Sequence, residues 1–443
     1  MSTQALARFA ASLHNGDVPE PVRARARDCI LDTVGVASFG AGLPWSGIVA
    51  DLATRSGGLA EATVIGRGEK VPAGQAALAN GAASHAFEMD SLRQPGTGVH
   101  PGATVAMPAL AMAEAAGAGG RALVTAVVAG CEVMFRIGLA TRHSAEKRGF
   151  HAPGLTGVFG SAVAAGHLMG LDETRMANAL GIAASLGSGL LAFSRAGSGG
   201  MVKRLHLGRA AEGGILAASL ARDGFTGPPN VIEGEFGFLE AYTAESDPDR
   251  LARGLGEEWE TLRICFKRYA CHVTAHTPVQ AIGELMADNG VTPQDVAGLA
   301  VAAGEKVLSR HNIPVPGDMT AAQYSVPWCA ALAVLRDAED PRSFLEAGHD
   351  DPEVRGLSRR VRMEPLDLCT QPGKAWASRV ALTLANGTLL ERTLEHFLGT
   401  PEAPLDEAAL RRRFLLLAGK GGEELYRRFA GIEELPDVRA LFG

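Results

Sequence analysis

Long, charge-poor segments rich in glycine and alanine run through the first 240 residues, and they constrain the fold more than any other feature of the chain. Their apolar residues recur at helical spacing, and several segments are apolar on every side, which is typical of helices buried in the centre of a protein. Small side chains allow the axes of such helices to approach closely. We therefore predict a large all-helical domain, with its main helices at residues 20–38, 74–87, 103–116, 121–139, 155–169, 173–190 and 209–223.

The pattern changes after residue 248, where short runs of alternating apolar and polar residues predict β-strands. Residues 378–384 and 388–394 are the clearest pair, because Asn386 and Gly387 between them favour the positive φ angles of a tight hairpin. Other strands are predicted at residues 259–266, 298–303 and 361–363, and helices at 278–288, 321–335, 406–417 and 423–429.

These patterns predict a mostly α protein built from three segments. Residues 1–248 are expected to form the helical domain, and residues 249–396 a smaller α+β domain. Residues 397–443 return to a helical pattern, so we expect them to rejoin the first domain.

The charge balance is acidic, because 42 Lys and Arg residues against 49 Asp and Glu residues leave a formal net charge of −7. Nucleic-acid-binding domains are usually basic, so we expect no nucleic-acid partner. A local cluster of cations in such a chain indicates a small anionic ligand instead. The six cysteines are scattered and form no C-x-x-C pair, which predicts buried free thiols in a reducing compartment and no zinc or iron–sulfur site.

Neither the N-terminus nor any internal segment predicts an association with membranes. Residues 1–16 have a helical pattern interrupted by Arg8, unlike a signal peptide. The charge-free residues 176–194 are long enough to span a bilayer, but they are rich in Gly, Ala and Ser and poor in Leu, Ile and Phe. We therefore expect a cytoplasmic protein with no membrane partner.

Five segments place polar side chains in these small-residue surroundings. The first, residues 85–102, carries Glu88, Asp90 and His100 on a loop rich in Pro and Gly. Taken alone, this loop is also compatible with a structural role, in which Asp90 caps a turn and His100 is packed. In the second, His151 precedes a long apolar helix whose free N–H groups favour a carboxylate ligand, although a histidine at such a position, taken alone, is more often a packed one.

The third segment is a Gly-rich turn, beginning at Gly197, that leads Lys203 and His206 into a helix. Its glycines do not have the spacing of a P-loop or of a dinucleotide fingerprint. We therefore predict no nucleotide cofactor from this turn.

The fourth segment, residues 264–276, places Lys267, Arg268 and His272 at the end of a predicted strand. A solvated face would explain the two cations but not the histidines and cysteines beside them. In the fifth segment, Tyr324 lies in an apolar helical pattern that is typical of a core and also of a pocket wall. None of the five segments defines a site alone.

Taken together, the segments resemble the MmgE/PrpD family nearly from end to end. The resemblance is carried by eight stretches: LDTVGVASFGA at 31–41, NGAASHAFEMD at 80–90, HPGATVAMPALAMAE at 100–114, GFHAPGLTGVFGSAVAAGHLMGLD at 149–172, ALGIAASLGSGLL at 179–191, MVKRLHLGRAAEGGILAASLARDGFTGP at 201–228, FKRYACHVTAH at 266–276 and AQYSVPWCAALAV at 322–334. It implies a mostly helical domain with a smaller α+β lid, a homodimer, and a site between the two domains. It also implies proton transfer next to a carboxylate in small di- or tricarboxylates, without a metal or an organic cofactor.

The resemblance also assigns roles to residues of this chain. The implied catalytic residues are His100, His151, Lys203, Lys267, His272 and Asp90, and the implied substrate-binding residues are Glu88, His206, Arg268 and Tyr324. One loop departs from the family pattern, since the family's HxxDFDDT reads HAFEMDSL here and the spacing to His100 is about two residues longer.

Three functions follow as hypotheses. The leading one is a cofactor-free lyase that removes water or carbon dioxide from a small di- or tricarboxylate. The second is an isomerase or epimerase in the same pocket, in which the proton returns and nothing leaves. The third is a carboxylate-binding protein without catalysis, which the two lysines and several histidines of the site segments oppose.

Overall fold

Helices make up most of the first 250 residues in the computed structural model, which describes residues 1–194 and 199–442. Two pairs of short antiparallel strands accompany these helices. Strand β1 (Ala62–Thr63) pairs with β2 (Lys70–Val71), and β3 (Leu92–Arg93) pairs with β4 (Ile264–Cys265). A π-helical turn at Gly102–Ala106 leads directly into the fifth helix. The α-helices of this part are α1 (Ser2–Ser12), α2 (Glu20–Ala41), α3 (Pro44–Arg55), α4 (Ala73–Ser84), α5 (Met107–Ala116), α6 (Gly120–Ala140), α7 (Ala152–Leu168), α8 (Glu173–Ala184), α9 (Val202–Arg222) and α10 (Phe238–Tyr242).

Helices α4, α7 and α9 form the centre of this domain, and glycines allow them to pack closely. A Cβ atom at Gly208 of α9 would lie 2.4 Å from the Leu78 carbonyl oxygen of α4. One at Gly214 would lie 2.3 Å from the Ser161 Cβ of α7. Any larger side chain at either glycine would push the helices apart, so the small residues are a packing requirement.

The α+β domain is built on a four-stranded sheet with helices around it. The strand order is β6-β5-β7-β8, with β6 parallel to β5 and the other neighbours antiparallel. The predicted fold class, mostly α with a smaller α+β domain, is confirmed. The strands are β5 (Val296–Ala303), β6 (Arg362–Pro365), β7 (Ser378–Leu384) and β8 (Leu389–Leu394), and the helices are α11 (His276–Asn289), α12 (Met319–Tyr324), α13 (Val326–Leu335), α14 (Arg342–Ala347) and α15 (Pro352–Ser358).

Strands β7 and β8 form the hairpin expected around the Asn-Gly pair. Gly387 has the positive φ angle, 84°, and its N–H donates to the Leu384 carbonyl at 2.9 Å. The Asn386 Oδ1 accepts a hydrogen bond from the Thr388 N–H at 2.9 Å. The backbone freedom of glycine and the short asparagine side chain therefore stabilise the reversal together.

The prediction of a strand at residues 259–266 is wrong for most of that segment. Glu260–Arg263 form a 3₁₀ turn, and the extended part is limited to β4. The buried Glu132 carboxylate accepts hydrogen bonds from the backbone N–H groups of Glu260 at 3.1 Å and Thr261 at 2.7 Å. A tertiary contact with α6 thus holds this segment in a turn despite its strand-like pattern.

Two predicted helices end differently in the structure. The helix predicted at 173–190 stops at Ala184, ahead of two glycines at 187 and 189. The helix predicted at 321–335 is divided at Ser325, whose Oγ accepts a hydrogen bond from the Trp328 N–H at 3.0 Å. Ser325 thereby caps the N-terminus of α13, and Pro327 follows at a position where helices tolerate proline.

Helix α9 begins at Val202 rather than at residue 209. Lys203 and His206 therefore lie in its first turns instead of on a preceding loop. The start of the predicted Gly-rich turn, residues 197–198, lies outside the described residues.

The last helices, α16 (Glu407–Ala418) and α17 (Gly422–Ala430), pack against α2. Arg413 of α16 donates from Nε to the Asp32 Oδ1 of α2 at 2.7 Å, and both side chains are buried. Phe414 and Phe429 join the hydrophobic core of the helical domain. The C-terminal segment therefore covers the helical domain, next to the loop that follows α4.

Among the described residues, one straight helix, α6, has the length and apolar composition of a membrane span. Within its apolar window, 89% of the residues are buried inside the protein. This burial is typical of a core helix.

Candidate active site

A cavity of about 1110 Å³ lies between the helical domain and the α+β domain. Asp90 and His206 lie directly behind its wall, each within hydrogen-bond distance of a histidine that lines it. The predicted site residues that line the cavity are Glu88, His100, His151, Lys203, Lys267, His272 and Tyr324. Distant parts of the chain therefore meet at one place.

The pairing of β3 with β4 brings the two halves of the site together. Strand β3 begins two residues after Asp90, and β4 ends two residues before Lys267. Their register places Leu92 opposite Cys265 and fixes both polar segments at the same edge of the cavity.

Buried side chains hold the backbone of the loop between α4 and β3. The Arg413 Nη2 donates to the Met89 carbonyl at 3.0 Å. The Gln323 Nε2 donates to the Phe87 carbonyl at 3.2 Å and to the Ala270 carbonyl at 3.0 Å. These contacts hold the loop to α16 on one side and to α12 of the α+β domain on the other. The acidic side chains of the loop face the cavity and the histidines.

Asp90 joins two histidines through one carboxylate oxygen. Its Oδ2 lies 2.8 Å from the His85 Nδ1 and 2.7 Å from the His100 Nδ1. Asp90 is buried, whereas the His100 side chain is 15% exposed at the cavity. The carboxylate therefore orients His100 so that its other ring nitrogen is available to a ligand.

Glu88 lies between the two lysines of the site. One of its oxygens contacts the Lys203 Nζ, and the other accepts a hydrogen bond from the Lys267 Nζ at 3.1 Å. All three side chains are at most 6% exposed. Glu88 has a φ angle of 58°, which is uncommon for a residue other than glycine and is typical of strained functional positions.

A second histidine pair lies at the start of α7. His151 occupies the N-cap position of this helix, and its Nδ1 lies 3.0 Å from the His206 Nδ1 of α9. Since one Nδ1 must donate and the other accept, the two rings hold complementary tautomers. Both rings can therefore be neutral, with the Nδ1–H of one donated to the bare Nδ1 of the other.

His272 and Tyr324 form the wall that the α+β domain contributes. The His272 ring stacks on that of His311 with a centroid distance of 4.4 Å and lies 4.7 Å from the Tyr324 ring. The His272 Nδ1 lies 2.8 Å from the Thr274 Oγ1. The Lys203 Nζ lies 5.1 Å from the centroid of the Tyr324 ring, so this aromatic face borders the cation that Glu88 contacts.

Arg268, predicted to bind substrate, lies outside this cavity. Its guanidinium pairs with Glu339 and borders a separate groove on the α+β domain. In a continued strand, Lys267 and Arg268 would point to opposite faces of a sheet. Strand β4 ends at Cys265, so the backbone of the following loop sets the two directions instead.

His85 and His311 both line the cavity, although no sequence pattern singled them out as site residues. His85 is the first residue of the HAFEMDSL stretch, and this position in the loop was a usable signal. His311 has no comparable signal, because it is brought to His272 by a turn far along the chain.

Burial sets the protonation of the site. It lowers the pKa of His85 to about 3, although Asp90 opposes this shift, and it lowers the pKa of His151 well below the usual range, helped by nearby His85 and His206. Burial alone would raise the pKa of Asp90, but the two histidines beside it hold that pKa well below its usual value. At neutral pH the site therefore combines an ionised Asp90 with neutral His85 and His151.

Burial also lowers the pKa of the two lysines of the site. For Lys203 the neighbouring Lys267 and Arg204 act in the same direction, and for Lys267 the Asp90 carboxylate opposes the shift. The contacts with Glu88 favour the ammonium form of both lysines.

We expect the free energy of unfolding to fall as the pH is lowered below about 6.5. Burial depresses the pKa of His85, His151 and His276, so the folded state binds fewer protons than the unfolded chain in this range. Each such histidine contributes a slope of up to about 1.4 kcal/mol per pH unit. Urea unfolding between about pH 7.5 and pH 5 measures this slope, and His276→Asn is expected to reduce it. A free energy of unfolding that does not change over this range would contradict the assignment of neutral histidines.

His85, Asp90 and His100 are also residue types that bind divalent metals, and their ligand atoms lie within 4.8 Å of one another. The nitrogen–oxygen separations of 2.8 and 2.7 Å are hydrogen-bond distances, whereas ligands of a tetrahedral zinc ion lie about 3.3 Å apart, given bonds of about 2.0 Å. The Lys267 Nζ is also 3.9 Å from the Asp90 Oδ1 and would repel a metal cation. The three residues therefore fit a histidine–carboxylate network better than a metal site.

Comparison with known proteins agrees with this geometry. The chain matches the MmgE/PrpD N-terminal domain over residues 4–251 and the MmgE/PrpD C-terminal domain over residues 269–434. It is 30% identical to a cis-aconitate decarboxylase of Aspergillus terreus, over 99% of this chain and 94% of that protein. It is 28% identical to the cis-aconitate decarboxylase of Homo sapiens, over 98% of this chain and 92% of that protein.

A cis-aconitate decarboxylase-like protein of Aspergillus oryzae is 27% identical, over 94% of this chain and 90% of that protein. The similarity therefore extends over nearly the full length of each relative and includes both walls of the cavity. Since the two domains match in order and flank the site described above, the chain belongs to the MmgE/PrpD family.

Proposed function

We propose that the chain is a lyase that removes carbon dioxide from a small unsaturated tricarboxylate of the cis-aconitate type, without a metal or an organic cofactor. The observation that carries the proposal is the meeting of two buried lysines with a histidine–carboxylate network in one cavity. The similarity to cis-aconitate decarboxylases over almost the whole chain supports the choice of reaction.

The reaction needs a carboxylate on the carbon next to a C=C bond. When the bond to that carboxylate breaks, carbon dioxide leaves, and the electron pair forms a new C=C bond with the adjacent carbon. The electrons of the old double bond then accept a proton at its far carbon. The reaction is therefore balanced by one proton, and the site must supply that proton and stabilise the negative charge that develops before its transfer.

We assign these tasks to residues that face the cavity. His100, oriented by Asp90, is the proton donor to carbon, because its ring borders the cavity and imidazole is the side chain that most often serves as a general acid or base. Lys203 and Lys267, both buried at the cavity wall, bind substrate carboxylates and stabilise the developing charge. His151 and His272 line the same cavity and complete the binding surface.

The chemistry of this pocket also suits the loss of water or an epimerisation, since each begins with a proton transfer next to a carboxylate. Glu88 stands where the family pattern has Asp, which changes the reach of the acid that contacts both lysines. The assay therefore has to distinguish the three reactions.

Proton NMR of the purified protein with di- and tricarboxylates in D₂O tests the proposal. Decarboxylation of cis-aconitate gives a product with a new terminal alkene and one deuterium from solvent. New olefin signals from a hydroxy acid would indicate a dehydratase instead, and deuterium uptake without a new product an epimerase. Unchanged spectra with every compound would favour a binding protein and overturn the proposal.

We expect turnover to persist after dialysis against a chelator and to need no added nucleotide. The reason is that the nitrogen–oxygen separations in the His85–Asp90–His100 group, 2.8 and 2.7 Å, are shorter than those between two ligands of one metal ion, and a lysine lies beside the group. Steady-state rates before and after treatment measure this. Loss of activity that a divalent ion restores would contradict the metal-independent mechanism.

A further inference from the structure

Five lysine and arginine side chains of the described residues line the cavity, and they fall into two groups. Arg93 pairs with Glu260, and Lys203 and Lys267 both contact Glu88. Lys306 and Arg310 have neither a hydrogen bond nor an ion pair from their side chains within the described part of the chain. The cavity therefore has three cations that contact a carboxylate directly and a second group of two, Lys306 and Arg310, that does not within the described residues.

Lys306 and Arg310 lie on the connection between β5 and α12, and both are exposed. Residues four apart on a helical turn share one face, and the π-helical turn Val307–His311 gives them this relation. His311 of the same turn stacks on His272, so the turn is held against the inner site. The two cations therefore have a defined position at the outer part of the cavity.

The wall contributed by the helical domain offers this pair one carboxylate, Glu146, and although burial opposes the shift, His143 and then Lys306 and Arg310 lower the pKa of Glu146. Glu146 lines the cavity there, but its Oε1 already lies 3.2 Å from the His143 Nε2. This contact with Glu146 raises the pKa of His143, which favours its charged form. Lys306, Arg310 and the charged form of His143 outnumber Glu146 here. Asp318 also lines the cavity, and it accepts the Ala321 N–H at the start of α12. The outer part of the cavity is thus cationic, although the whole chain carries a formal charge of −7.

We propose that Lys306 and Arg310 form an outer carboxylate site that captures the polyanionic substrate before it reaches Lys203 and Lys267. The inference rests on the proposed function for the polycarboxylate nature of the ligand, but not for the reaction that follows. Exposed cations on a protein surface usually contribute little. Several cations that line one cavity act differently, because together they raise the local concentration of an anionic ligand and its rate of entry.

The test compares K306Q/R310Q with R359Q/R360Q, a double variant of exposed arginines outside the cavity that changes the net charge equally. Calorimetry measures the binding of propane-1,2,3-tricarboxylate, which has no double bond and no hydroxyl group to lose. At about 10 mM salt, where charges act over about 30 Å, we expect K306Q/R310Q to bind about tenfold more weakly than the wild type. At about 0.5 M salt the difference should fall below about twofold, and R359Q/R360Q should match the wild type at both salt concentrations.

Equal weakening in both double variants would show a general effect of net charge and overturn the proposal, as would unchanged binding in K306Q/R310Q. A loss of affinity in K306Q/R310Q that persists at high salt would also overturn it, since that result indicates a direct structural role. The proposed reaction is judged separately by the NMR assay, so a protein that binds the tricarboxylate but turns nothing over would disprove the lyase and leave the outer site supported.

Discussion

Replacing His100 by Asn is expected to lower kcat by at least about a thousandfold while leaving the fold and ligand affinity nearly unchanged. The ring borders the cavity with its Nδ1 2.7 Å from the Asp90 carboxylate, and an amide of similar size cannot exchange a proton with carbon. General acid–base groups contribute about 10²- to 10⁴-fold to a rate, so the loss should be large. Steady-state rates, calorimetric affinity and the thermal midpoint distinguish a lost catalytic group from a damaged fold.

The matched variant is Asp90→Asn, which keeps the size of the side chain and removes the charge that orients His85 and His100. We expect a fall in kcat of about a hundredfold, because a histidine held in the wrong tautomer loses most of its effect as a proton donor. If His100→Asn retains normal kcat, the proton transfer must be assigned to His151, which also lines the cavity.

Replacing Glu88 by Gln is expected to lower the free energy of unfolding by about 3–5 kcal/mol in the absence of ligand. Glu88 is the shared counter-charge of Lys203 and Lys267, and all three side chains are buried. The variant leaves two buried lysines without a shared counter-charge, so the folded state must either hold two neighbouring ammonium groups or release a proton. A polycarboxylate that binds both lysines should restore much of the lost stability and raise the thermal midpoint more than it does in the wild type.

The pH dependence of the Glu88→Gln variant gives a second readout. Burial lowers the pKa of both lysines, and removing Glu88 should depress it further, so the folded variant binds fewer protons than the unfolded chain. Its deficit in stability should therefore shrink as the pH rises toward the ordinary lysine pKa of about 10.4. Urea unfolding at about pH 7 and pH 9.5 measures this recovery.

Glu339→Gln is the control for Glu88→Gln. Glu339 pairs with Arg268 at the surface, where its side chain is 48% exposed, and such pairs contribute less than about 1 kcal/mol. A Glu88→Gln protein as stable as the Glu339→Gln protein, with no gain from added polycarboxylate, would show that Glu88 does not compensate the two lysines.

Local patterns predicted the regular elements well wherever neighbouring residues control the backbone. The β7–β8 hairpin follows from two alternating runs around Gly387, and the buried helices follow from continuous apolar segments. The family resemblance predicted which polar segments belong to one site, and the structure places all of its assigned residues except Arg268 in or directly behind the cavity wall.

The predictions were wrong where a distant side chain controls the backbone. The 259–266 segment has the composition of a strand, but Glu132 of α6 binds its N–H groups and keeps it in a turn. His85 was not predicted as a site residue for a different reason. Its role depends on a side-chain contact with Asp90, and the fold of the loop between them sets that contact. Periodicity contains no information on either contact.

The sequence by itself determined the helical core, the hairpin, the acidic net charge and the residue types available to the site, because these depend on composition and on neighbouring residues. Only the tertiary structure decided that Glu88 lies between two lysines, that Asp90 joins His85 to His100, and that Arg268 lies outside the cavity. The physical reason is that the lysines and Arg268 belong to segments far from Glu88 in the chain, which β3–β4 pairing and helix packing bring together. The His85–Asp90–His100 contacts lie within one loop, but its irregular backbone is held by distant side chains, so no local pattern specifies these distances either.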